Sequence, residues 1–370
     1  MKHELPAMIT LARRLLATET PGTLATLFSA RGSTYRPLGS MMVSLPGMRA
    51  GGVSGGCLEE YVARVGERTT RSSPAVMLRF DTHPDADDEI PVPGCGGSLA
   101  LLVERLTSDH LTVLEQLADA YRRDEYSLFA CFVERSSHAV SVSREWLDPS
   151  DGTTRSRPAL ADACAKVVGG RRSSHSALDA DTDVLIQYVP PLTRLVIFGA
   201  GDDVVPFCTL GAQLGWHVSV VDRRSRLATR GRFPDAERVI ASDWDEAIER
   251  LRFTPRTAVV LMTHSLQDDA RVLSLLATRT LAYVGALGPA HRREWLLEEA
   301  AARGPLNPEF ASTLRGPVGL DLGDRSAAGI AVAVTAEILA RINGRSAQAL
   351  RGEAPPAMVA SRRGLCLVDV

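Results

Sequence analysis

Between Arg194 and Asp222 the chain reads RLVIFGAGDDVVPFCTLGAQLGWHVSVVD, and no other stretch constrains the fold as much. An apolar run ends in Gly199-Ala200-Gly201, a helix-compatible segment follows, and a second apolar run closes on an acid. This is the order of a strand, a glycine turn, a helix and a second strand, a crossover that requires a parallel sheet. The alternation continues through Ala258 to Thr263, a helical Asp268 to Ala277, Leu281 to Val284 and a last helix at Ala327 to Ile342. Helices on both faces of a parallel sheet are therefore expected from Pro190 onward.

The glycine turn has chemistry of its own. Helix-end amides at Gly199, Ala200 and Gly201 would face a phosphate bound there. Asp222 stands where an acid accepts hydrogen bonds from ribose hydroxyls, which favours NAD over a 2′-phosphorylated ligand. Against this, Val204 occupies the third glycine position, and Asp202 and Asp203 put negative charge near a pyrophosphate unless a cation or Arg223 compensates. Dinucleotide binding and a Rossmann fold with another ligand, or none, both remain open, because a fold does not fix its function.

The first half of the chain alternates differently. A helix opens it, Thr23 to Ser29 and Ser40 to Leu45 read as strands, and Ser54 to Gly66 reads as a turn entering a helix. Ala75 to Phe80, Ser98 to Leu106 and Tyr126 to Val133 read as further strands, with a helix at His110 to Arg122. The fold class is thus α/β: an N-terminal α+β module at 1–147, followed by a Rossmann-like domain with a parallel sheet at 190–345. Residues 148–189, rich in Gly, Ser, Thr, Arg and Asp, read as a linker with one short helix at Ala159 to Val168, and 346–370 as a tail.

Two cysteines in the first module sit among glycines. Cys57 lies in GVSGGCLEEYVARVG, Gly52 to Gly66, and Cys95 in PGCGGSL, Pro93 to Leu99. At a helix start the thiolate is favoured, and Gly55 and Gly56 carry no side chains to cover it, so Cys57 reads as a reactive or metal-ligating thiol. Cys95 reads equally as its companion ligand or as a packed small hydrophobe. The other four cysteines lack such settings. Arg36, in RGSTYRPLGS, would clamp an anion or simply be solvated. His264, after AVVLMT at the carboxyl end of a strand, would be a general acid or base, or a water-bonded cap.

Composition closes off several classes. A net charge of -2 and a pI near 6.5 give no global basic field for nucleic acid or anionic lipid. Six cysteines in 370 residues, with no CxxC pair, fit reduced thiols in a cytoplasm better than a secreted disulfide framework. No apolar run is long enough to span a membrane, and Glu4 with Arg13-Arg14 interrupts the N-terminal apolar residues as in an amphipathic helix rather than a signal sequence.

GSTYRPLGSMMVS, GGVSGGCLEEYV and GCGGSLALLVE resemble the N-terminal module of the XdhC/CoxI family. LVIFGAGDDVVPFCTLGAQLGWHVSVVD, THSLQDDARVL, YVGALGPAHRR and VGLDLGDRSAAGIAVAVTAEILA resemble its Rossmann-like C-terminal module. The chain departs from the family pattern at Asp202, at Gly288-Pro289-Ala290 and at Ser326 to Ala331, all in the second module. The resemblance implies a chaperone that binds the molybdenum cofactor (molybdopterin), holds it while a cysteine desulfurase supplies sulfur, and inserts it into a molybdenum hydroxylase of xanthine dehydrogenase type. By the same analogy a homodimer is open. Cys57 would then be the principal ligating or sulfur-handling residue, Cys95 its companion, and Arg36, Gly55 and Gly56 part of the cofactor cradle. The competing expectation is an NAD(P)-dependent oxidoreductase using Gly199, Ala200, Gly201 and Asp222 for the cofactor and His264 or a cysteine in proton transfer or metal binding.

Overall fold

The computed structural model describes residues 2–32, 34–69, 73–81, 97–135 and 140–349. The chain divides into two compact units, with the boundary between Pro191 and Leu192.

In the first unit, helix α1 (Leu5–Ala17) precedes strands β1 (Thr23–Arg31), β2 (Met41–Leu45) and β3 (Met48–Gly51). Helix α2 (Glu59–Thr69), strands β4 (Ala75–Asp81) and β5 (Ser98–Arg105), and helix α3 (Ser108–Ala120) follow. These strands form a five-stranded antiparallel sheet in the order β3-β2-β1-β5-β4. Leu5, Met8, Leu11, Ala12 and Leu15 recur at helical spacing and are buried, which is why α1 forms and which face it turns inward. Pro6 in its first turn costs nothing, because amides there have no partner within the helix.

The second sheet of this unit draws on residues expected to be a linker. Strands β6 (Ser127–Arg135) and β7 (Val140–Leu147), helices α4 (Gly152–Arg155) and α5 (Pro158–Gly170), and strands β8 (Ser174–Ala177) and β9 (Thr182–Val189) give the antiparallel order β7-β6-β9-β8. The linker reading of 148–189 is thus corrected. Val184 to Ile186 is fully buried beside β6, and the hydrophilic bias that suggested a linker comes from the exposed face of α5 and from the edge strand β8. Edge strands carry polar residues because one side of each meets water.

The two sheets pack face to face through Phe28, Met77, Ala100 and Leu102 on one and Cys131, Val133 and Leu185 on the other. A buried ion pair crosses the same seam. Glu104 of β5 takes both terminal nitrogens of Arg144 of β7, with Nη1 to Oε1 at 3.1 Å. His110 of α3 joins them, its Nε2 3.3 Å from Glu104 Oε1. Because the Thr107 amide donates to His110 Nδ1 at 3.1 Å, the ring proton is on Nε2 and points at the carboxylate. Burial alone would raise the Glu104 carboxyl, but the His110 and Arg144 hydrogen bonds and charge hold it below its ordinary value.

The second unit begins with strand β10 (Arg194–Phe198), a single 3₁₀ turn at Asp202–Val204 and helix α6 (Val205–Gln213). Strands β11 (His217–Asp222) and β12 (Arg238–Ala241), helix α7 (Trp244–Arg250), strand β13 (Thr257–Leu261) and helix α8 (Leu266–Leu276) continue it. Strand β14 (Tyr283–Ala286), helices α9 (Ala290–Ala301) and α10 (Pro308–Thr313), the short strand β15 (Leu314–Arg315) and helix α11 (Ala327–Ile342) complete it. Every pairing is parallel, and the six-stranded order is β12-β11-β10-β13-β14-β15. This is a doubly wound sheet whose order reverses between β10 and β13, so the crevice at their carboxyl ends is where ligands of such sheets gather. Buried clusters line both faces, one built around Phe207, Val334 and Ile338 and the other around Trp244, Leu273 and Leu296.

Arg144→Met is expected to destabilise the first unit by about 3 kcal/mol, because it strands a buried carboxylate, whereas Glu104→Gln with Arg144→Met together should cost less than the single change. Hydrogen exchange of β5 and β7 peptides in the full chain measures both, and a double variant less protected than Arg144→Met would contradict the account.

Candidate functional site

The Cys57 turn is built from the sheet edge outward. Strand β3 delivers the chain to Gly52, and residues 53–58 bend back to start α2. Val53, Ser54, Leu58 and Glu59 are buried, whereas Gly55, Gly56 and Cys57 are exposed. Leu58 and Val62, four residues apart, pack against Leu27 and Leu101 and so anchor α2 on the sheet. The turn is thus fixed beneath and open above.

Ser54 and Glu59 fix it. The Glu59 carboxylate accepts from the amides of Val53 at 3.2 Å and Ser54 at 2.8 Å, and from the Ser54 hydroxyl at 2.5 Å. Ser54 Oγ in turn accepts from the amides of Gly56 and Leu58, each at 3.2 Å, and lies 3.4 Å from Cys57 Sγ. Amides at a helix start lack partners within the helix, so this hydroxyl does the work of a cap. Burial pushes the Glu59 carboxyl up, but the Ser54 hydrogen bonds, with Arg49 at 3.6 Å, outweigh it and hold the group below its ordinary value. Of the two glutamates at the start of α2, Glu59 is therefore structural and Glu60 is solvated.

Glycine is required at position 56 and leaves room at position 55. Gly56 has φ +115°, which side-chain-bearing residues rarely adopt, and a Cβ on Gly55 would lie 3.3 Å from the ring of Tyr35. Arg36 does reach this turn. Its Nε donates to the Ser54 carbonyl at 3.2 Å and its Nη1 to Glu4 at 2.7 Å, so in this structure it ties the start of α1 to the turn.

The structure thus brings Arg36, Gly55, Gly56 and Cys57 together. Cys95 lies outside the described residues. Among the described cysteines Cys57 is exposed while Cys131, Cys164 and Cys208 are buried, and burial pushes the Cys131 and Cys208 thiols up to about 12. They stay protonated near neutral pH and are poor nucleophiles or ligands. Among the described residues no group of three or more His, Cys, Asp or Glu side chains could hold a metal ion. The turn offers one soft thiol in open space, which suits a metal that arrives with most of its ligands already in place and not a bare ion needing a cage.

The second constellation belongs to the other unit. Gly199 has φ +127°, and a Cβ there would lie 2.2 Å from the Met262 carbonyl, so only glycine lets β10 and β13 approach this closely. The Ala200 amide donates to Asp222 Oδ2 at 2.9 Å, and His264, at φ +63°, lies 3.6 Å from Asp203. Gly199, Ala200, Gly201, Asp222 and His264 therefore converge at the carboxyl ends of the strands. Asp222, however, is fully used. Its Oδ1 accepts from the amide and Nε of Arg224 at 2.8 and 2.9 Å, and its Oδ2 accepts from Arg224 Nη2 at 2.7 Å besides Ala200. Burial raises this carboxyl, and the Arg224 contacts outweigh burial and leave it below its ordinary value. A ribose diol would have to displace Arg224 to reach it.

Charge is balanced differently from the expectation that Arg223 would offset Asp202 and Asp203. Arg223 pairs with Asp268 and lies over the Trp244 ring, while Asp202 pairs with Arg232 at 2.6 Å. Arg232 also donates to the Ala200 and Leu227 carbonyls, so it braces the glycine turn from below. His264 is 65 % exposed, and the loop bearing it is held by Thr263, whose amide and hydroxyl both donate to buried Asp269, itself paired with Arg292 at 2.8 Å. Sequence reasoning missed Ser54, Arg224 and Arg232. The serine five residues before Glu59 was a readable capping signal, whereas nothing local marks Arg232 as a partner of residues thirty positions away.

Comparison with known proteins decides the family. Residues 195–338 match the XdhC Rossmann domain and residues 15–81 match the XdhC and CoxI family. A Bacillus subtilis (strain 168) protein named as a probable xanthine dehydrogenase subunit is 30% identical over 341 residues, covering 89% of this chain and 96% of that protein. The chain belongs to the XdhC and CoxI family. A further relative, the uncharacterized protein YqeB of Escherichia coli (strain K12), is 28% identical over 147 residues, covering 40% of this chain and 27% of that protein. A Bacillus halodurans crystal structure described as a xanthine dehydrogenase superposes with a TM-score of 0.71, covering 92% of this chain and 96% of that one at 24% identity, which supports the shared fold. This XdhC-family chain has no helix, among its described residues, long and apolar enough to cross a membrane.

Two outcomes follow. Because the Glu59 carboxyl is depressed in the folded chain, its contribution to stability is present above its unfolded value and is lost as pH falls through the folded one. The urea midpoint of wild type should thus exceed that of Glu59→Gln at about pH 6, with the gap closing toward about pH 3; a constant gap would contradict this. Under native conditions iodoacetamide should alkylate Cys57 well before Cys131, Cys164 or Cys208, as read by peptide mass mapping, and equal labelling of the four would contradict the burial.

Proposed function

We propose that this chain is a maturation factor that carries the molybdenum cofactor for a molybdenum hydroxylase of xanthine dehydrogenase type. The observation that carries the reading is the exposed Cys57 thiol on a glycine turn made rigid by Ser54 and Glu59. The name of the Bacillus subtilis relative, which links it to xanthine dehydrogenase, points to the same client class.

In this reading the cofactor is cargo, and the chain presents the Cys57 thiolate to its molybdenum. Gly55 and Gly56 keep the approach clear. The Gly55 amide would face the anionic end of the cargo, where a backbone N–H in a tight turn favours negative charge, while Arg36 holds the turn through Ser54 and Glu4. Cys95 is the proposed second thiol. A cysteine desulfurase would supply the terminal sulfur while the cargo is held, and the client would then receive it. Exposure of Cys57 leaves the cargo reachable by both partners. A cytoplasmic setting keeps the thiol reduced.

The oxidoreductase reading is weaker on a specific ground. Each oxygen of Asp222 already accepts two hydrogen bonds, so the acid that would recognise NAD is occupied by Arg224 and Ala200. His264 then has no positioned cofactor beside it to serve as acid or base.

The test is native mass spectrometry of protein purified anaerobically from a molybdenum-replete host. Wild type is expected to carry the mass of the pterin cofactor, and Cys57→Ala to retain about tenfold less or none while keeping its circular dichroism. Equal retention by Cys57→Ala, or a bound dinucleotide in its place, would overturn the proposal.

A further inference from the structure

A second exposed side chain stands on the Cys57 turn. Tyr35 is 77 % exposed, more than any other large apolar side chain among the described residues. The other exposed Tyr and Trp rings each meet a neighbouring ring. Tyr126 stacks on Tyr188 at 5.7 Å, and Trp295 and His291 meet edge to face at 4.5 Å. Among the described residues no ring packs against Tyr35.

What lies under Tyr35 is backbone. A Cβ built on Gly55 would be 3.3 Å from Tyr35 Cγ and 3.5 Å from both Cδ1 and Cδ2. With Cγ nearest and the two Cδ atoms equidistant, that point stands over the face of the ring and not at its rim. One face is therefore laid on Gly55, and the high exposure leaves the other to solvent. The backbone on either side of this contact is tied together. Thr34 Oγ1 donates to the Arg36 carbonyl at 2.9 Å, and Arg36 Nε donates to the carbonyl of Ser54, the residue before Gly55, at 3.2 Å. A Tyr ring has only two side-chain torsions to fix, so it offers a large flat face at small entropic cost.

The ring and the thiol share one turn. Gly55 and Cys57 are two residues apart, so their Cα atoms lie within about 7 Å. A bond from Cys57 to a metal fixes one atom of a ligand and leaves whatever that metal carries free to swing about the Cβ–Sγ bond. An inorganic oxoanion has nothing further to fix. A metal carried on a flat heterocycle does, and an aromatic face beside the thiol is the group that meets it, because stacking of a heterocycle on an aromatic side chain contributes about tenfold in affinity.

We propose that Tyr35 is a specificity-determining residue of the Cys57 site, its free face stacking on the flat heterocyclic body of the cargo while the thiolate holds the metal. This role rests on the carrier reading of Cys57, and it adds the feature by which the site distinguishes a ring-borne metal from a bare oxoanion.

Full-length chains purified anaerobically from a molybdenum-replete host and dialysed against cofactor-free buffer test it, with retained pterin read by fluorescence after oxidation and retained molybdenum by elemental mass spectrometry. Tyr35→Ala and Tyr35→Leu are expected to lose both about tenfold faster than wild type, whereas Tyr35→Phe, which keeps the face, should lose them at the wild-type rate. Leucine still covers Gly55 with apolar surface and lacks only the aromatic face. Retention by Tyr35→Leu equal to wild type, or release from Tyr35→Phe as fast as from Tyr35→Ala, would overturn the proposal. So would a Cys57 alkylation rate in cargo-free Tyr35→Leu that departs from wild type by as much as the release rate does, since the effect would then belong to the turn. Wild type without pterin, or Cys57→Ala holding it as wild type does, would overturn the carrier reading itself. An emptied Cys57→Ala beside a Tyr35→Ala that keeps its cargo would overturn the role of Tyr35 alone.

Discussion

The first unit depends on one desolvated carboxylate. Glu104 projects from the first sheet into the seam, where Arg144 of the second sheet and His110 of α3 meet it. A pair like this adds little net stability over well-packed apolar residues, because taking both charges out of water costs about as much as their attraction returns. What it supplies is register. A carboxylate left unpaired there is far worse than one paired, so the two sheets and α3 have one relative arrangement that satisfies all three groups.

The two units differ in how much of them could be read in advance. The second announces itself, since β10, β11, β13 and β14 are apolar runs buried along nearly their whole length and its glycine turn admits no other residue where β10 meets β13. Helix α11 falls at the residues its periodicity marks. In the first unit β7, β8 and β9 were missed. Strand β7 alternates Val140-Ser141-Val142-Ser143 with one face in water, and β8 is an edge strand of polar residues, so neither has the apolar density that a single-sequence reading trusts. Burial of Val184 to Ile186 is a property of the sheet they join.

The same contrast holds at the sites. The prominence of Cys57 and its glycines was legible because exposure and open space are local consequences of Gly55 and Gly56. The roles of Asp222 and Arg224 were not, although they are only two residues apart. An acid after the second strand of a Rossmann unit reads as a ribose acceptor until the side chain that satisfies it is seen. Here Arg224 folds back and fills it, and Arg232, arriving from a distant loop, holds Asp202 and the Ala200 carbonyl. The fold has been kept and its usual acceptor given over to holding the fold together, which is the physical content of the rule that architecture does not fix function.

A carrier has to present its ligand-binding group rigidly and yet surrender what it holds. These demands conflict if one group meets both, since burying a ligating side chain fixes it and also shields it. At the Cys57 turn they fall on different atoms. Rigidity resides in Ser54 and Glu59, which are buried and whose hydrogen bonds run to the backbone on both sides of the cysteine. Accessibility resides in Gly55, Gly56 and Cys57 itself. Because the backbone is ordered before anything binds, a thiol in the proposed carrier role would lose little conformational entropy on capture. Because the thiol stands in open space, a second protein in the proposed role could reach it without unfolding the turn, so hand-over would ask no rearrangement of Ser54 and Glu59.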